Sequence, residues 1–272
     1  MTPTRRTLLG AALGGAATAA VGLPAPAAHA ASWQLKWSPS AGADGLRAFE
    51  TLEDDRADSH TSAAPHIHAT GDTWRFDMHT VDRDTSTDRQ RHEVTGLRTS
   101  SGFLRWTQGQ TWRVTYQMYI PTSLKATTSF THIMQMKQPG AGTSPLVVQS
   151  LRRDGGTSRS SGAESGGGAQ TIELKLPIDD ILIGRTDLAP LHNSWTDVDF
   201  QVKVGNGSAG SVRWILKKGS TTLIDVSRSG VDTFLADRLR PKWGIYRSLG
   251  DTSGSLQNCH LLLRNMKGYQ LV

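Results

Sequence analysis

Three short segments of the sequence carry side chains whose types suit the movement of a proton beside a carboxylate. They are Arg91-His92-Glu93-Val94, Gln135-Met136-Lys137 and Lys242-Trp243-Gly244-Ile245-Tyr246. Arginine, lysine and an amide can neutralise a carboxylate, while an imidazole or a phenol can accept and return a proton. If the fold brings the three segments together, they supply the groups needed to remove a weakly acidic proton.

Strand alternation predicts which side chains around the first segment share a face. Arg89, Arg91 and Glu93 fall on one face, whereas Gln90 and His92 fall on the other. Two arginines beside one glutamate suit an ion-pair network with a guanidinium left over for an anion. A solvated strand held by surface ion pairs is the competing interpretation, since charged residues are usually exposed.

The second segment alternates in the same way. Gln135 and Lys137 share a face that would line a groove if the sheet is concave. His132, Met134 and Met136 share the opposite face, which we expect to be core. An ordinary half-exposed strand fits this pattern equally well.

In the third segment, Lys242, Gly244 and Tyr246 share one face, and Trp243 and Arg247 share the other. A glycine between the lysine and the tyrosine lets a ligand approach the backbone, so the phenol could project into a groove. Packing as an amphipathic residue is the usual role of a strand tyrosine and is the alternative.

Alternating apolar and polar residues also dominate the rest of the chain and predict the strands that would position these side chains. Examples are residues 73–79, 110–120, 195–204 and 259–266. Roughly ten or more short strands, separated by Gly, Ser and Asn turns, predict an all-β fold. We expect a β-jelly roll, that is, a concanavalin-like β-sandwich, in a single domain.

The composition fits a globular protein and limits its partners. The 272 residues include 28 glycines, 8 tryptophans and a single cysteine. One cysteine excludes an intrachain disulfide framework and a multi-cysteine zinc site. The formal net charge of +6 favours an anionic partner such as nucleic acid, an acidic polysaccharide or a membrane surface.

Residues 1–30 have the pattern of an export signal. Arg5-Arg6 precede an uncharged stretch rich in alanine and glycine, and Ala28-His29-Ala30 provides small residues at a cleavage position. The paired arginines predict a twin-arginine signal peptide. We therefore expect residues 31–272 to be a secreted, extracellular monomer that acts on an acidic polysaccharide, with no nucleic-acid or membrane partner.

In order and spacing, the three segments resemble the motifs of the jelly-roll polysaccharide lyases. The resemblance is greatest to the glucuronan lyases of polysaccharide lyase family 20, and more distant to the alginate lyases. Lys137 stands where the alginate lyase motif Gln-x-His has its histidine, and Val94 stands where the motif Arg-x-Glu-Leu has its leucine. The resemblance implies β-elimination on a uronate polymer, no required cofactor, and a structural calcium ion whose ligands are unknown.

The chemistry of that reaction assigns roles to the matching residues. Gln135 and Arg91 would neutralise the substrate carboxylate, and Tyr246 would act as the acid. The base is either Tyr246 or His92, which needs a β-bulge to bring it onto the face of Arg91. The cations expected to bind the other carboxylates of the polymer are Arg89, Lys137, Lys242 and Arg247.

Two other functions are compatible with a β-sandwich of this kind. A non-catalytic carbohydrate-binding module would bind the polymer without forming product, and it would accommodate the missing Gln-x-His histidine. A glycoside hydrolase is disfavoured because the chain has no Glu-x-Asp-x-x-Glu string of paired carboxylates.

Histidines between residues 60 and 79 raise the question of a metal site. His66 and His68 fall on one strand face, a spacing that can bind zinc, and His60 and His79 lie nearby in the sequence. The spacing identifies no third ligand, so we predict no metal site. The acidic pairs Asp54-Asp55 and Asp82/Asp84 are expected to be solvated turns.

Overall fold

A computed structural model describes residues 31–60, 65–140, 144–153 and 169–272. The predicted signal peptide, residues 1–30, lies outside these ranges, and it and the domain boundary after it stay predictions. The strands in the described ranges are β1 (Trp33–Trp37), β2 (Thr51–Glu53), β3 (Ile67–Thr70), β4 (Thr73–Met78), β5 (Arg89–Thr95), β6 (Arg98–Thr99), β7 (Gly102–Phe103), β8 (Thr111–Tyr119), β9 (Thr131–Lys137), β10 (Val147–Arg153), β11 (Gln170–Leu176), β12 (Ile181–Asp187), β13 (Trp195–Lys203), β14 (Ser211–Lys218), β15 (Thr221–Ser229), β16 (Arg240–Ser248) and β17 (Cys259–Leu271).

Helical structure in the described ranges is short. The α-helix α1 spans Ala41–Asp44, and single 3₁₀ turns span Gly45–Ala48, Ala189–Leu191 and Gly207–Ala209. Ser40 caps α1, since its hydroxyl accepts a hydrogen bond from the backbone amide of Ala43. Within the described residues, none of these helices has the length and apolar character that crossing a membrane requires.

The strands form two large antiparallel sheets. The eight-stranded sheet has the order β15-β14-β13-β8-β17-β4-β3, with β1 also paired to β17. The seven-stranded sheet has the order β12-β11-β10-β9-β16-β5-β2, and β6 pairs with β7 separately. The prediction of an all-β fold is confirmed.

Apolar side chains from the two sheets meet in one core. Along β8 the side chains alternate between buried and half-buried, so Trp112 and Tyr116 point to the same side. In the seven-stranded sheet, Trp243 stacks on Trp37 of β1 with ring centroids 6.2 Å apart and meets the edge of Tyr116 at 6.1 Å. Truncation of such a fully buried tryptophan to alanine typically costs about 3–5 kcal/mol. This packing makes the other face of the seven-stranded sheet an outer face.

A β-bulge in β9 changes which side chains reach that outer face. Met134 pairs with Gln149 of β10 and His132 pairs with Ser150, so Ile133 has no partner in β10. The extra residue reverses the alternation, because each residue added to a strand turns those before it to the other face. The prediction that His132 shares the core face with Met134 is therefore wrong.

Gly244 of β16 lies opposite this bulge and is required there by the backbone of the neighbouring strand. Its φ is +142°, and a Cβ at this position would lie 2.0 Å from the carbonyl oxygen of His92 and 2.8 Å from the Cα of Glu93. Only glycine fits such a close approach. Gly244 is therefore required for the packing of β16 against β5. The group that approaches its backbone is the neighbouring strand and not, as predicted, a ligand.

Candidate active site

Tyr246 lies on the outer face of the seven-stranded sheet, near the end of β16. Its phenol oxygen accepts a hydrogen bond of 2.6 Å from Nη1 of Arg89, and the guanidinium carbon of Arg91 lies 3.7 Å from the centroid of its ring. Arg91 is its direct neighbour in β5. Two guanidinium groups at this phenol can stabilise negative charge that develops on its oxygen.

Carboxylates hold Arg91 against the tyrosine. Its Nε donates to Asp84 at 3.0 Å and its Nη1 donates to Glu93 at 3.1 Å. Although burial opposes it, the charges of Glu93 and Glu53 raise the pKa of Arg91. Asp84 is buried, not in a solvated turn as predicted, and it also accepts from Nε of Arg56 at 3.0 Å. Arg91 is therefore a cation held in place by hydrogen bonds from Nε and Nη1.

The amide of Gln135 is held by the fully buried Glu93. Nε2 of Gln135 donates to Oε1 of Glu93 at 2.6 Å. Burial acts to raise the pKa of Glu93, but the charges of Lys242 and Arg91 outweigh it and lower this pKa. A carboxylate only accepts hydrogen bonds, so the nitrogen of the amide must face it. Among the described residues, the second N–H of Gln135 has no acceptor, so it is left for another group.

Lys242 is turned inward to the same carboxylates. Its amine lies 3.1 Å from Oε2 of Glu93 and also pairs with Glu53 of β2. The side chain is only 5% exposed. This position does not agree with the prediction that Lys242 binds substrate, because the chain's own carboxylates already neutralise its charge.

Lys137, at the end of β9, has an open charge on the same face. It is half-buried, and within the described residues its amine has no hydrogen-bonding or ion-pair partner. Burial and the charges of Lys242 and Arg91 lower the pKa of Lys137. A bound carboxylate would offset that effect, so this position suits the anion-binding role predicted for it.

His132 is a functional residue that the sequence reasoning missed. The bulge places it beside Tyr246, with ring centroids 5.7 Å apart, and its ring stacks on Phe130 at 4.9 Å. Nδ1 lies 2.6 Å from the hydroxyl of Ser150, which leaves Nε2 to face other groups. Burial, with the charges of Arg152 and Arg91, lowers the pKa of His132 to about 3. The imidazole is therefore neutral at neutral pH. The carboxylate of a bound uronate would add a negative charge beside it, raise this pKa and make the imidazole a stronger base.

His92 lies on the opposite side of the sheet from Tyr246. It is fully buried, its Nδ1 donates to the carbonyl of Asp77 at 2.6 Å, and its ring centroid is 4.3 Å from that of His66. The expected bulge is absent from the described pairing of β5 with β16, which runs in continuous register. The prediction that His92 turns towards Arg91 is wrong, because strand alternation keeps the two residues on opposite faces.

Arg247 is also buried on the core side. Its Nε donates to Gln90 at 2.6 Å, and its Nη1 lies 3.3 Å from the sulfur of Cys259. Burial lowers the pKa of Arg247. The prediction that Arg247 binds substrate is wrong, since this guanidinium has no access to the outer face. Cys259 is a buried strand residue, as expected, and burial raises the pKa of its thiol to about 11.

The polar surface continues across β10, β11 and β12. Glu173 is buried and accepts hydrogen bonds from Nε of Arg152 at 2.8 Å and from Nη2 of Arg185 at 2.7 Å. We use the name polar face for the outer side of the seven-stranded sheet. Its members are Arg89, Arg91, Glu93, His132, Gln135, Lys137, Ser150, Arg152, Glu173, Arg185, Lys242 and Tyr246.

Comparison with known proteins identifies the fold. No family model matches the sequence, and no curated protein matches it. The family 14 alginate lyase from Aplysia kurodai is similar in structure, with a TM-score of 0.51 and 14% identity over 86% of this chain and 98% of that one. A family 7 alginate lyase solved with substrate has a TM-score of 0.50 and 10% identity over 78% and 83% of the two chains.

The chain has the jelly-roll fold of the alginate lyases. This confirms the predicted fold class and the structural part of the predicted resemblance. The endo-β-1,4-glucuronan lyase from Trichoderma reesei has a TM-score of 0.46 and 11% identity, covering 86% of this chain and 90% of that one.

Proposed function

We propose that this protein is a polysaccharide lyase that cleaves a uronic-acid polymer by β-elimination and leaves an unsaturated uronate at the new chain end. The observation that carries the proposal is the convergence of a phenol, a neutral imidazole, an amide and an open lysine on one face. These side chains are Tyr246, His132, Gln135 and Lys137. They come from only two neighbouring strands, β9 and β16.

The first task of such a site is to make the proton at C5 of the sugar more acidic. The neighbouring carboxylate opposes removal of this proton as long as it keeps its full charge. The second N–H of Gln135 and the amine of Lys137 are donors that can neutralise it. Glu93 fixes the amide of Gln135 through the 2.6 Å hydrogen bond, so the donor is oriented before substrate binds.

The second task is to move the proton and release the leaving group. His132 accepts the C5 proton on Nε2, and the electron pair of the broken C–H bond forms the double bond between C4 and C5. The bond from C4 to the bridging oxygen breaks, and the hydroxyl of Tyr246 gives its proton to that oxygen. Arg89, which donates to the phenol oxygen at 2.6 Å, stabilises the phenolate that remains.

The substrate we propose is a glucuronic-acid-containing polymer of the glucuronan type. The Gln-x-Lys segment, which differs from the Gln-x-His motif of the alginate lyases, supports this choice. The positive net charge suits an anionic polymer of any uronic acid. We propose that the enzyme is exported through its twin-arginine segment and acts as a secreted monomer, with no required cofactor.

The test is to incubate the chain without residues 1–30 with glucuronan, alginate and a heparin-like polymer. Lyase action creates a conjugated double bond, so we expect far-ultraviolet absorbance to rise with glucuronan and mass analysis to find unsaturated products. Polymer binding without any rise would instead show a carbohydrate-binding module. No rise with any uronate polymer would overturn the proposal.

A further inference from the structure

Behind β5, on the side away from Tyr246, four side chains with metal-binding atoms converge. His60 lies in the segment after β2, His66 lies just before β3, His79 follows β4, and Asp82 lies in the loop that leads to β5. We call these four residues the histidine cluster. One donor atom from each lies within 4.8 Å of the donor atoms of all the others.

The distances within the histidine cluster are those of a small coordination polyhedron. His60 Nδ1 lies 2.8 Å from Oδ1 of Asp82 and 3.4 Å from Nε2 of His66. His66 Nε2 is 3.5 Å from Oδ1 of Asp82, and His79 Nδ1 is 3.3 Å from Oδ2. A tetrahedral zinc ion about 2.0–2.1 Å from each ligand holds its ligand atoms about 3.3 Å apart. The four side chains therefore need little movement to surround such an ion.

Surrounding groups already hold these ligands in place. Nδ1 of His66, the nitrogen that does not face the cluster, lies 3.2 Å from Oδ1 of Asp54, an ion-pair contact in which this oxygen has no hydrogen bond among the described residues. A small rotation would make this carboxylate an acceptor for Nδ1, and such a partner fixes the tautomer and ring orientation of a metal-binding histidine. The buried amide of Gln90 donates to the backbone carbonyls of His79 and Asp82 at 2.7 and 2.8 Å. These two hydrogen bonds thus hold the backbone of the loop that carries the ligands His79 and Asp82.

Two ligands of the histidine cluster are buried and two are partly exposed, so an ion can reach the site from solvent. Asp82 is fully buried and His66 is 5% exposed, whereas His60 and His79 are each 29% exposed. A carboxylate this deeply buried needs a cation or hydrogen-bond donors. In this structure Asp82 accepts a hydrogen bond from the backbone amide of His79 at 2.6 Å and lies 2.8 Å from Nδ1 of His60. In addition, Nε2 of the neighbouring His92 is buried and has no hydrogen-bond partner among the described residues.

We propose that the histidine cluster binds one divalent transition-metal ion, zinc or an ion with the same preference for imidazole, as a structural site. Three nitrogens and one carboxylate are a donor set for zinc, whereas calcium takes six to eight oxygen ligands. Four protein ligands close the coordination sphere, which is typical of a structural zinc site. The site is separate from the polar face, and the ion takes no part in the steps of the proposed lyase reaction.

Metal binding here would join parts of both sheets. His66 and His79 flank β3 and β4 in the eight-stranded sheet, and Asp82 leads into β5 of the seven-stranded sheet. Asp84, two residues after Asp82, accepts the 3.0 Å hydrogen bond from Arg91. The ion would thereby stabilise the loop that supports the cation beneath Tyr246, without itself touching the polar face.

The experiment uses the chain without residues 1–30 and without an affinity tag that contains histidine. After treatment with EDTA and dialysis, the protein is titrated with zinc chloride, and bound metal is counted by mass spectrometry. We expect about one zinc per chain, a thermal midpoint several degrees higher with zinc, and no such rise with calcium. Cobalt(II) should give the visible absorption bands of a four-coordinate site.

Variants locate the ion. His66→Gln and Asp82→Asn each remove a direct ligand and should weaken zinc binding by about 100-fold or more, at least as much as loss of a group that only orients a ligand. His68→Gln, in β3, outside the cluster and 30% exposed, should bind zinc as the wild type does. If either buried variant fails to fold, the half-exposed His79→Gln replaces it. Zinc content far below one per chain, or zinc binding that is unchanged in the cluster variants, would overturn the proposal.

Discussion

On one side of strand β5, Arg89 and Arg91 surround a tyrosine, whereas on the other side His92 packs against the histidine cluster. The polar face is assembled from segments far apart in the chain, since Arg91 and Tyr246 are neighbours only through the pairing of β5 with β16. The histidine cluster comes from one stretch of chain, residues 60–82. The two regions share a strand, and alternation keeps their chemistry apart.

The two regions also differ in how their charges are neutralised. On the polar face, guanidinium and ammonium groups pair with Glu53, Glu93 and Asp84, and the amine of Lys137 stays open among the described residues. In the histidine cluster, Asp82 is surrounded by imidazoles. A face with an open cation suits an anionic polymer, whereas a closed set of imidazoles around one carboxylate suits a metal ion. Variants on either side of β5 test this division.

The largest expected effect is on the phenol of the polar face. Tyr246→Phe removes the proposed acid and should lower the turnover of glucuronan about 10²–10⁴-fold, the range typical of general acid–base catalysis. The initial rate of far-ultraviolet absorbance measures it. Tyr269→Phe, on β17 of the eight-stranded sheet, is the matched control and should keep the wild-type rate. A Tyr246→Phe enzyme with full activity would remove the phenol from the reaction.

A pair of histidine variants compares the two sides of the sheet directly. His132→Gln removes the proposed base and should slow the reaction about 100-fold, a loss larger than any accompanying loss of stability explains while the variant stays folded. His92→Gln should leave the rate close to that of the wild type, but lower the free energy of unfolding by about 1–3 kcal/mol, because the residue is fully buried. Steady-state rates and urea unfolding measure both effects. The reverse result would place the base behind the sheet.

Lys137→Gln tests the open cation. Loss of a charge that neutralises the substrate carboxylate should lower kcat about 10-fold, raise KM as well, and make KM less sensitive to salt. Lys267→Gln, exposed on β17, removes the same charge far from the polar face and is the control. Equal changes in KM for the two variants would mean that only the net charge of the protein matters.

The last prediction concerns a pH dependence of stability that His132 contributes. Its pKa is lowered from about 6.5 to about 3 in the folded state, so the unfolded chain binds more protons between these values. Stability should therefore decrease as pH falls from about 6.5 towards 3. Urea unfolding at several pH values should show a shallower decrease for His132→Gln than for the wild type, and identical slopes would contradict the assigned pKa.

Local patterns in the sequence are sufficient to predict the strands and most of the faces. Alternation places Arg89, Arg91 and Glu93 together and puts His92 opposite them, as the structure does. The assignment of His92 and Arg247 to the site rests on their chemistry and goes against that alternation, and it is wrong for both. The period of two is a property of the strand itself, so it is the more dependable guide.

Pairing between strands decides what alternation cannot. His132 reaches Tyr246 only because Ile133 bulges out of register with β10, and that bulge depends on three strands lying side by side. Gly244, which approaches the β5 backbone closely, is the one sign of this irregularity in the sequence, and a strand glycine is equally typical of a bend or of a ligand contact. The spacing of residues in the sequence could not predict the histidine cluster, because its ligands lie in loops and next to strand ends, where side-chain direction has no fixed period.

The sequence by itself therefore determined the all-β class, the alternating faces and the residue types from which an anion-binding surface is built, because these depend on neighbours along the chain. Only the tertiary structure decided which histidine joins the tyrosine, which cations remain open and which imidazoles surround Asp82. Those outcomes depend on register and on contacts between distant segments, and a shift of a single residue in one strand reverses them.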